Sequence, residues 1–296
     1  MKVLVTGGSG FLGKALCIKL HELGHTVSYL SRSESHELEE LKLKWFPGDI
    51  RNLSIVLSAT KSQNAVFHTA ALAGFWGRRE DFFQTNVVGT ENVIKSCFAN
   101  NVSHLIYTSS PSVIFNGKDL ENIDESISYP EKYLCFYSET KSIAERMILE
   151  SNSNELKTIS LRPHLIWGPG DNHLLPRVVE KAKEGKLKIV GNGLNKVDLI
   201  YIDNAVAGHI LAWQGLVHLL PCDGKSYFLS DDIPVELWRW INQLFLRLNI
   251  PAIDKKISYK KAYRVGALME WLFAGLKLKG EPPMTRFLAD SLAKHH

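Results

Sequence analysis

The chain has 296 residues, of which 45% are hydrophobic, 22% charged and 10% aromatic, a balance that supports a sizeable core and excludes disordered, collagenous and coiled-coil classes. Its formal charge is +4, from 35 basic and 31 acidic residues spread along the chain, so there is no basic footprint for nucleic acid. The four cysteines (Cys17, Cys97, Cys135 and Cys222) lie far apart with no Cys-x-x-Cys pair; this argues against a disulfide framework or a zinc site, so no metal is expected and a reducing cytoplasm fits.

In chain order, Lys2–Thr6 is a short apolar run of strand character, and Phe11 to Gly24 follows with Leu12, Leu16, Leu20 and Leu23 on one helical face. Thr26–Ser31 reads as a second strand, Lys44–Phe46 as a third closed by Pro47-Gly48-Asp49, and Asn52 as the cap of a short helix. Ala65–His68 is a fourth strand, Glu80 to Asn100 a long helix, His104–Thr108 a fifth strand, Phe136 to Glu150 a helix, and Thr158–Leu161 a sixth strand ending at Arg162-Pro163. Parallel neighbours need crossover helices, so this alternation predicts an α/β protein with a doubly wound parallel sheet, a Rossmann fold, over residues 1–165. Residues 166–296 predict a smaller C-terminal substrate-binding lobe. It is partly discontinuous, because Val197–Ile202 reads as a strand rejoining the sheet through residues 195–212. A turn cluster at Trp167–Asp171, a helix from Leu174 to Glu184 and a helix-rich stretch from Ser226, with Trp238, Trp240, Leu244 and Leu248 as its packed face, complete that lobe. Gly266–Leu276 is conspicuously apolar; packing on the core or a dimer partner is the first reading and contact with a membrane surface the second. The opening strand leaves no secretory signal, and no run of about 18 apolar residues provides a membrane span.

The turn after the first strand reads Thr6-Gly7-Gly8-Ser9-Gly10-Phe11-Leu12-Gly13. Such a turn needs residues tolerant of positive φ, and a pyrophosphate approaches the backbone only where Cβ is missing, beside the free N–H groups of the helix start. A dinucleotide is the expected ligand. The second strand ends in Leu30-Ser31-Arg32-Ser33 without the carboxylate that usually binds a ribose 2′-hydroxyl, while Arg32 suits a 2′-phosphate. NADP is favoured; NAD stays open if Arg32 is only a solvated charge. Asp49 and Ile50 after the third strand are placed to bracket an adenine. His68, Ala70 and Ala71 after the fourth strand allow close approach to a ribose.

Tyr137 and Lys141 stand one helical turn apart and address one ligand. An ammonium and an oxidised nicotinamide ring both favour the phenolate, which makes Tyr137 a candidate acid/base for a carbonyl–alcohol pair, with Ser110 polarising the same oxygen.

From Met1 to about Ala212 the chain resembles the extended short-chain dehydrogenase/reductases, the NAD-dependent epimerase/dehydratase superfamily. Thr6–Gly13 is similar to that family's cofactor turn and Tyr137/Lys141 to its catalytic pair. Ser110 is similar to its third catalytic position, with Ser112 as runner-up. The resemblance implies that Asn86, within Asn86–Thr90, supports a proton-relay path and that Lys141 also holds the nicotinamide ribose. It further implies that Arg162 and Pro163 belong with the cofactor contacts, and that a homodimer forms through the helices near Glu80–Asn100 and Phe136–Glu150. Where nucleotide-sugar epimerases carry Arg-Tyr-Phe-Asn, this sequence has Arg162-Pro163-His164-Leu165. It resembles instead the 3β-hydroxysteroid dehydrogenase branch, which includes sterol-4-carboxylate 3-dehydrogenases and bacterial 2-alkyl-3-oxoalkanoate reductases. The segments that carry this are Ala73–Gly77, Tyr107–Phe115, Trp167–Asp171 and Gly191–Asp198. That branch implies a hydrophobic carbonyl or alcohol substrate, with Phe75, Trp76, Ser112, Phe115, His164 and Trp167 as its contacts. The competing expectations are an epimerase or dehydratase with retained NAD and a non-catalytic NADP-binding regulator.

Overall fold

The computed structural model of the protein describes residues 1–171 and 175–296. Its first half alternates as expected: β1 (Lys2–Thr6), α1 (Phe11–Glu22), β2 (Thr26–Ser31), α2 (His36–Glu40), β3 (Lys44–Pro47), α3 (Leu53–Thr60), β4 (Ala65–His68), α4 (Arg79–Phe82), α5 (Gly89–Ala99), β5 (His104–Thr108), α6 (Phe136–Glu150) and β6 (Lys157–Pro163). Asn52 caps α3 as expected, its side-chain oxygen accepting from the N–H groups of Ser54 and Ile55. The helix expected over Glu80–Asn100 is broken into α4 and α5 by a π-helical stretch, Phe83–Val88, the kind of wide turn that recurs at functional sites.

The second half comprises β7 (Leu165–Trp167), α7 (Leu175–Lys183), β8 (Ile189–Val190), β9 (Lys196–Val197), β10 (Leu199–Tyr201), α8 (Ile202–Val217), β11 (Lys225–Leu229), β12 (Val235–Glu236), α9 (Leu237–Arg247), β13 (Lys256–Ile257), α10 (Tyr259–Gly275) and α11 (Arg286–Ser291). Leu174, the expected start of α7, lies outside the described residues.

The main sheet has seven parallel strands in the order β11-β6-β5-β4-β1-β2-β3. Order reverses between β1 and β4, so the crevice at their carboxyl ends is where such sheets take ligands. Strand alternation sorts the core: Val3 and Val5 face α1 and α8 with Leu16, Leu20, Ala205, Ile210 and Trp213, whereas Leu4 faces α3, α5 and α6 with Val56, Val93, Cys97 and Ile148. A third core, built on Trp238, Ile241 and Phe245, holds the C-terminal lobe together.

Two expectations are corrected. The strand that rejoins the sheet is Lys225–Leu229, not Val197–Ile202: β9 and β10 pair with β12 and β7 in small separate ladders. What returns to the sheet from residues 195–212 is helix α8, whose apolar side covers it. The exposed edge of β6 was therefore available to a later, short and mixed run that reads ambiguously by periodicity alone. In α9 the expected Trp238 is buried with Leu237, Ile241 and Phe245, and Trp240 packs against that core, but Leu248 caps the helix exposed to solvent.

Candidate active site

The glycine turn after β1 is built around contacts no side chain would permit. Gly7 has φ of 73°, and a Cβ there would lie 2.9 Å from the Ala70 backbone. A Cβ on Gly13 would lie 2.2 Å from the Gly7 carbonyl oxygen, so the start of α1 rests directly on the turn. Helix α1 has no side-chain cap and no acidic residue in its first turn, which leaves its N–H groups and positive dipole end to an anion. These features fit a dinucleotide pyrophosphate, which the backbone of Gly7, Gly10, Phe11, Leu12 and Gly13 would hold.

Thr6 and His68, at the ends of β1 and β4, turn inward instead. The Thr6 hydroxyl meets His68 Nδ1 at 2.8 Å, and the other ring nitrogen meets the Thr90 hydroxyl at 2.9 Å. Burial, with the Lys141 charge behind it, pushes His68 down to about 3, so the ring is neutral and ties β1, β4 and α5 together. Ala70 and Ala71, just beyond, stay at the accessible edge.

At the end of β2, the Ser31 hydroxyl donates to the Ser33 carbonyl and accepts from the Trp45 indole. It fastens the strand end. Arg32 is exposed and has no ion-pair partner among the described residues. Asp49 is gripped by Arg51, whose Nε and Nη2 donate at 3.0 and 2.8 Å. Burial works to raise the Asp49 carboxyl, and Arg51's hydrogen bonds overcome it and hold it below the usual range. An open depression of about 580 Å³ is lined here by Asp49, Arg51, Asn52, Leu53 and Gln84. Ile50 is buried beneath it, and its carbonyl accepts from Asn92.

The reacting groups converge at the carboxyl end of β5. Ser110 caps the one-turn helix Pro111–Val113, accepting from the Ser112 N–H and donating to the Ser112 hydroxyl at 3.0 Å. The Ser110 hydroxyl also lies beside the Tyr137 phenol, where it favours the phenolate. Helix α6 therefore brings its second residue onto the serine turn, as the sequence predicts.

Lys141, one turn further along α6, is buried beside the end of β5. Its ammonium donates to the Thr108 carbonyl at 2.6 Å and lies 4.1 Å above the Tyr107 ring. Within the protein's own groups, burial pushes the Tyr137 phenol up to about 12, against the pull of the neighbouring Ser110 hydroxyl. Tyr137 is thus a proton donor at neutral pH. Burial pushes Lys141 down to about 7, opposed by Glu145 one helical turn further along. Glu145 went unremarked in the sequence, although its spacing from Lys141 was the available signal.

Asn86 sits in the π-helical stretch, and its amide is fully committed. Nδ2 donates to the Leu72 carbonyl and the Thr140 hydroxyl, both at 3.1 Å, while Oδ1 accepts from the Leu72 N–H at 2.7 Å. Thr140 in turn donates to the Phe136 and Tyr137 carbonyls. Asn86 therefore positions the turn that carries Tyr137.

Arg162 is not free for a cofactor. It is 2% exposed and forks onto the fully buried Glu145, through Nε at 3.1 Å and Nη2 at 2.6 Å. Ser160 and Tyr129 donate to the same carboxylate at 2.8 and 2.7 Å. Pro163 pairs in the sheet with Leu229.

Of the expected substrate contacts, Phe75 stacks on Phe287 at 5.0 Å, and Phe115 meets the same ring edge-on at 6.0 Å. Trp76 meets Phe273 at 6.4 Å. The rings from the two halves of the chain thus make one apolar wall, and Phe273 and Phe287 complete it. His164 lies against Phe228 and is pushed down to about 3 by burial, helped by His296. Trp167 is packed between Tyr201 and Trp240, its indole N–H without a hydrogen-bond partner among the described residues. Among the described residues no group of three or more His, Cys, Asp or Glu is arranged to hold a metal.

A family model described as the 3-beta hydroxysteroid dehydrogenase/isomerase family matches residues 4–258. The chain is 46% identical over 298 residues to a 2-alkyl-3-oxoalkanoate reductase of Stenotrophomonas maltophilia, covering all of this chain and 90% of that protein. It is 36% identical over 258 residues to the human decarboxylating sterol-4-alpha-carboxylate 3-dehydrogenase, covering 86% of this chain and 69% of that one. Among solved structures, the Bacillus cereus UDP-glucuronic acid 4-epimerase with UDP-glucuronic acid and NAD superposes with a TM-score of 0.75 at 21% identity, over 87% of this chain and 86% of that one; this likeness concerns the fold.

Proposed function

The chain belongs to the 3-beta hydroxysteroid dehydrogenase/isomerase family and is an oxidoreductase, and we propose that it interconverts a 3-oxo and a 3-hydroxy group on a hydrophobic, carboxylated substrate with NADP(H). The observation that carries this reading is the placing of Tyr137, protonated at neutral pH, beside the Ser110 turn at the carboxyl end of β5. When bound, the nicotinamide supplies or accepts the hydride. In the reducing direction Tyr137 gives its proton to the substrate oxygen and Ser110 donates a hydrogen bond to that oxygen as charge develops on it. Lys141, one turn on, holds a proton within reach of the tyrosine's side of the site and the face that a nicotinamide ribose would occupy. The Gly7–Gly13 turn grips the pyrophosphate, and exposed Arg32 meets the 2′-phosphate.

The substrate class is supported by the apolar wall of Phe75, Trp76, Phe115, Phe273 and Phe287 and by the name of the Stenotrophomonas relative. Homodimerisation through α5 and α6 belongs to the same proposal. The test is NADPH oxidation with long-chain 2-alkyl-3-oxo acids, ketosteroids and sugar nucleotides. Turnover of the 3-oxo acid or ketosteroid, with the alcohol recovered, is expected. A tightly retained NAD and isomerised sugar nucleotide, with no net NADPH consumed, would establish the epimerase reading instead.

A further inference from the structure

The last residue of β5, Thr108, is held from both faces of the sheet. Its carbonyl accepts from the Lys141 ammonium of α6 at 2.6 Å. Its side chain points to the other face, as Ile106 does, and the hydroxyl lies 2.8 Å from Nε2 of His209 in α8. His209 is fully buried, and its Nδ1 lies 2.7 Å from the Ala205 carbonyl one turn back. Burial keeps the ring neutral, pushed down to about 4. A carbonyl only accepts, so Nδ1 carries the ring proton, and Nε2 is left as a bare acceptor to which the Thr108 hydroxyl donates. One residue thus joins the two helical layers, α8 gripping its side chain and α6 its carbonyl. The N–H of the next residue, Ser109, donates to the Leu161 carbonyl at 2.6 Å, and the serine turn begins at Ser110.

We propose that His209 is a positioning residue for the reacting centre: by accepting from the Thr108 hydroxyl it fixes the last peptide of β5, so that the Thr108 carbonyl meets the Lys141 ammonium and the serine turn leaves the strand beside Tyr137. Among the described residues that carbonyl is the only hydrogen-bond acceptor of the ammonium. The other titratable groups around Lys141 are few. Glu145 of α6 favours the ammonium while paired with Arg162 of β6. His68 of β4 is neutral, and Tyr107 of β5 and Tyr137 of α6 keep their protons at neutral pH. An ammonium whose acceptor withdraws gives up its proton at lower pH. His209 therefore acts on Lys141 through Thr108, from the far side of the sheet and without touching the site. The consequence for turnover rests on the proposed reaction; the consequence for the ionisation of Lys141 does not.

The experiment compares Thr108→Val, which keeps the branched shape and removes the hydroxyl, with Thr108→Ser, which keeps the hydroxyl. The ionisation of Lys141 is followed by NMR in the intact chain with lysine isotopically labelled at Cε, its signal assigned by its absence from Lys141→Met. Thr108→Val should lower the midpoint by about one pH unit, a tenfold loss of proton affinity on the scale of one hydrogen bond to a charged group. Thr108→Ser should keep the parent value, and His209→Leu, which fills the space without an acceptor, should reproduce the valine result. In NADPH-oxidation assays the alkaline limb of the pH profile should move down with the midpoint. A midpoint unmoved in Thr108→Val, or moved equally in Thr108→Ser, would overturn the proposal even where the variants melt lower, because a merely structural tie changes stability and not the ionisation. A moved midpoint with the alkaline limb in place would uphold the positioning of Lys141 and count against the need for its ammonium in turnover. Absence of NADPH oxidation with every substrate would overturn the reaction, and the midpoints alone would then decide the role of His209.

Discussion

Replacing Glu145 with glutamine separates a structural from a functional reading of the buried charges behind the reacting groups. The Glu145 carboxylate is fully buried and accepts from Arg162 at 2.6 and 3.1 Å, from Ser160 at 2.8 Å and from Tyr129 at 2.7 Å. Glutamine keeps the shape but leaves the Arg162 guanidinium, itself 2% exposed, buried without a counter-charge. Breaking one side of such a pair costs about 3–5 kcal/mol, so the melting temperature should fall by about 6 °C or more. A second effect follows from the lysine one turn away. Burial already holds Lys141 near 7, and Glu145 is the group resisting it; without that charge Lys141 loses its proton at lower pH. If turnover needs the ammonium, the alkaline limb of the pH–activity profile moves to lower pH. Thermal melts and pH profiles on the same preparation check both effects. A variant that melts within about 1 kcal/mol of the parent, with its profile in place, would refute the reasoning.

Two further outcomes are expected. Arg32→Ala should weaken NADPH binding far more than NADH binding in a calorimetric titration, because the exposed guanidinium is assigned to the 2′-phosphate; equal losses would remove that assignment. His68 and His209 are buried and held near 3 and 4 by that burial, below the usual 6.5, so the unfolded chain binds their protons first. Their stability contribution is intact above about pH 6.5 and lost as pH falls, at about 1.4 kcal/mol per unit for each ring. Denaturant melts at pH 7 and near pH 5 check this, and equal stability at both would contradict it.

Much of this architecture is legible in the sequence, because its signals are local. β1, β2, β4, β5 and α6 fall on runs whose period is unambiguous, and the glycine turn and the Tyr137/Lys141 spacing declare themselves by backbone need and helical geometry. What escaped is non-local. β11 is defined by an unpaired edge of β6 created by residues more than sixty positions earlier. The Arg162–Glu145 pair looks like a cofactor contact until α6 and β6 are laid side by side. Phe273 and Phe287 join the apolar wall only once α10 and α11 fold back over the loop that follows β4. Spacing likewise places Lys141 on the face of Tyr137 without showing that the Thr108 carbonyl accepts from its ammonium.

The most direct measurement is single-turnover NADPH oxidation by Tyr137→Phe beside the parent, with a long-chain 3-oxo acid as substrate and NADPH affinity determined on both. Loss of the proton donor should slow the hydride step by about 10²-fold or more with cofactor affinity preserved. A phenylalanine variant that reduces the substrate at the parent rate would contradict the assignment of Tyr137 as the acid.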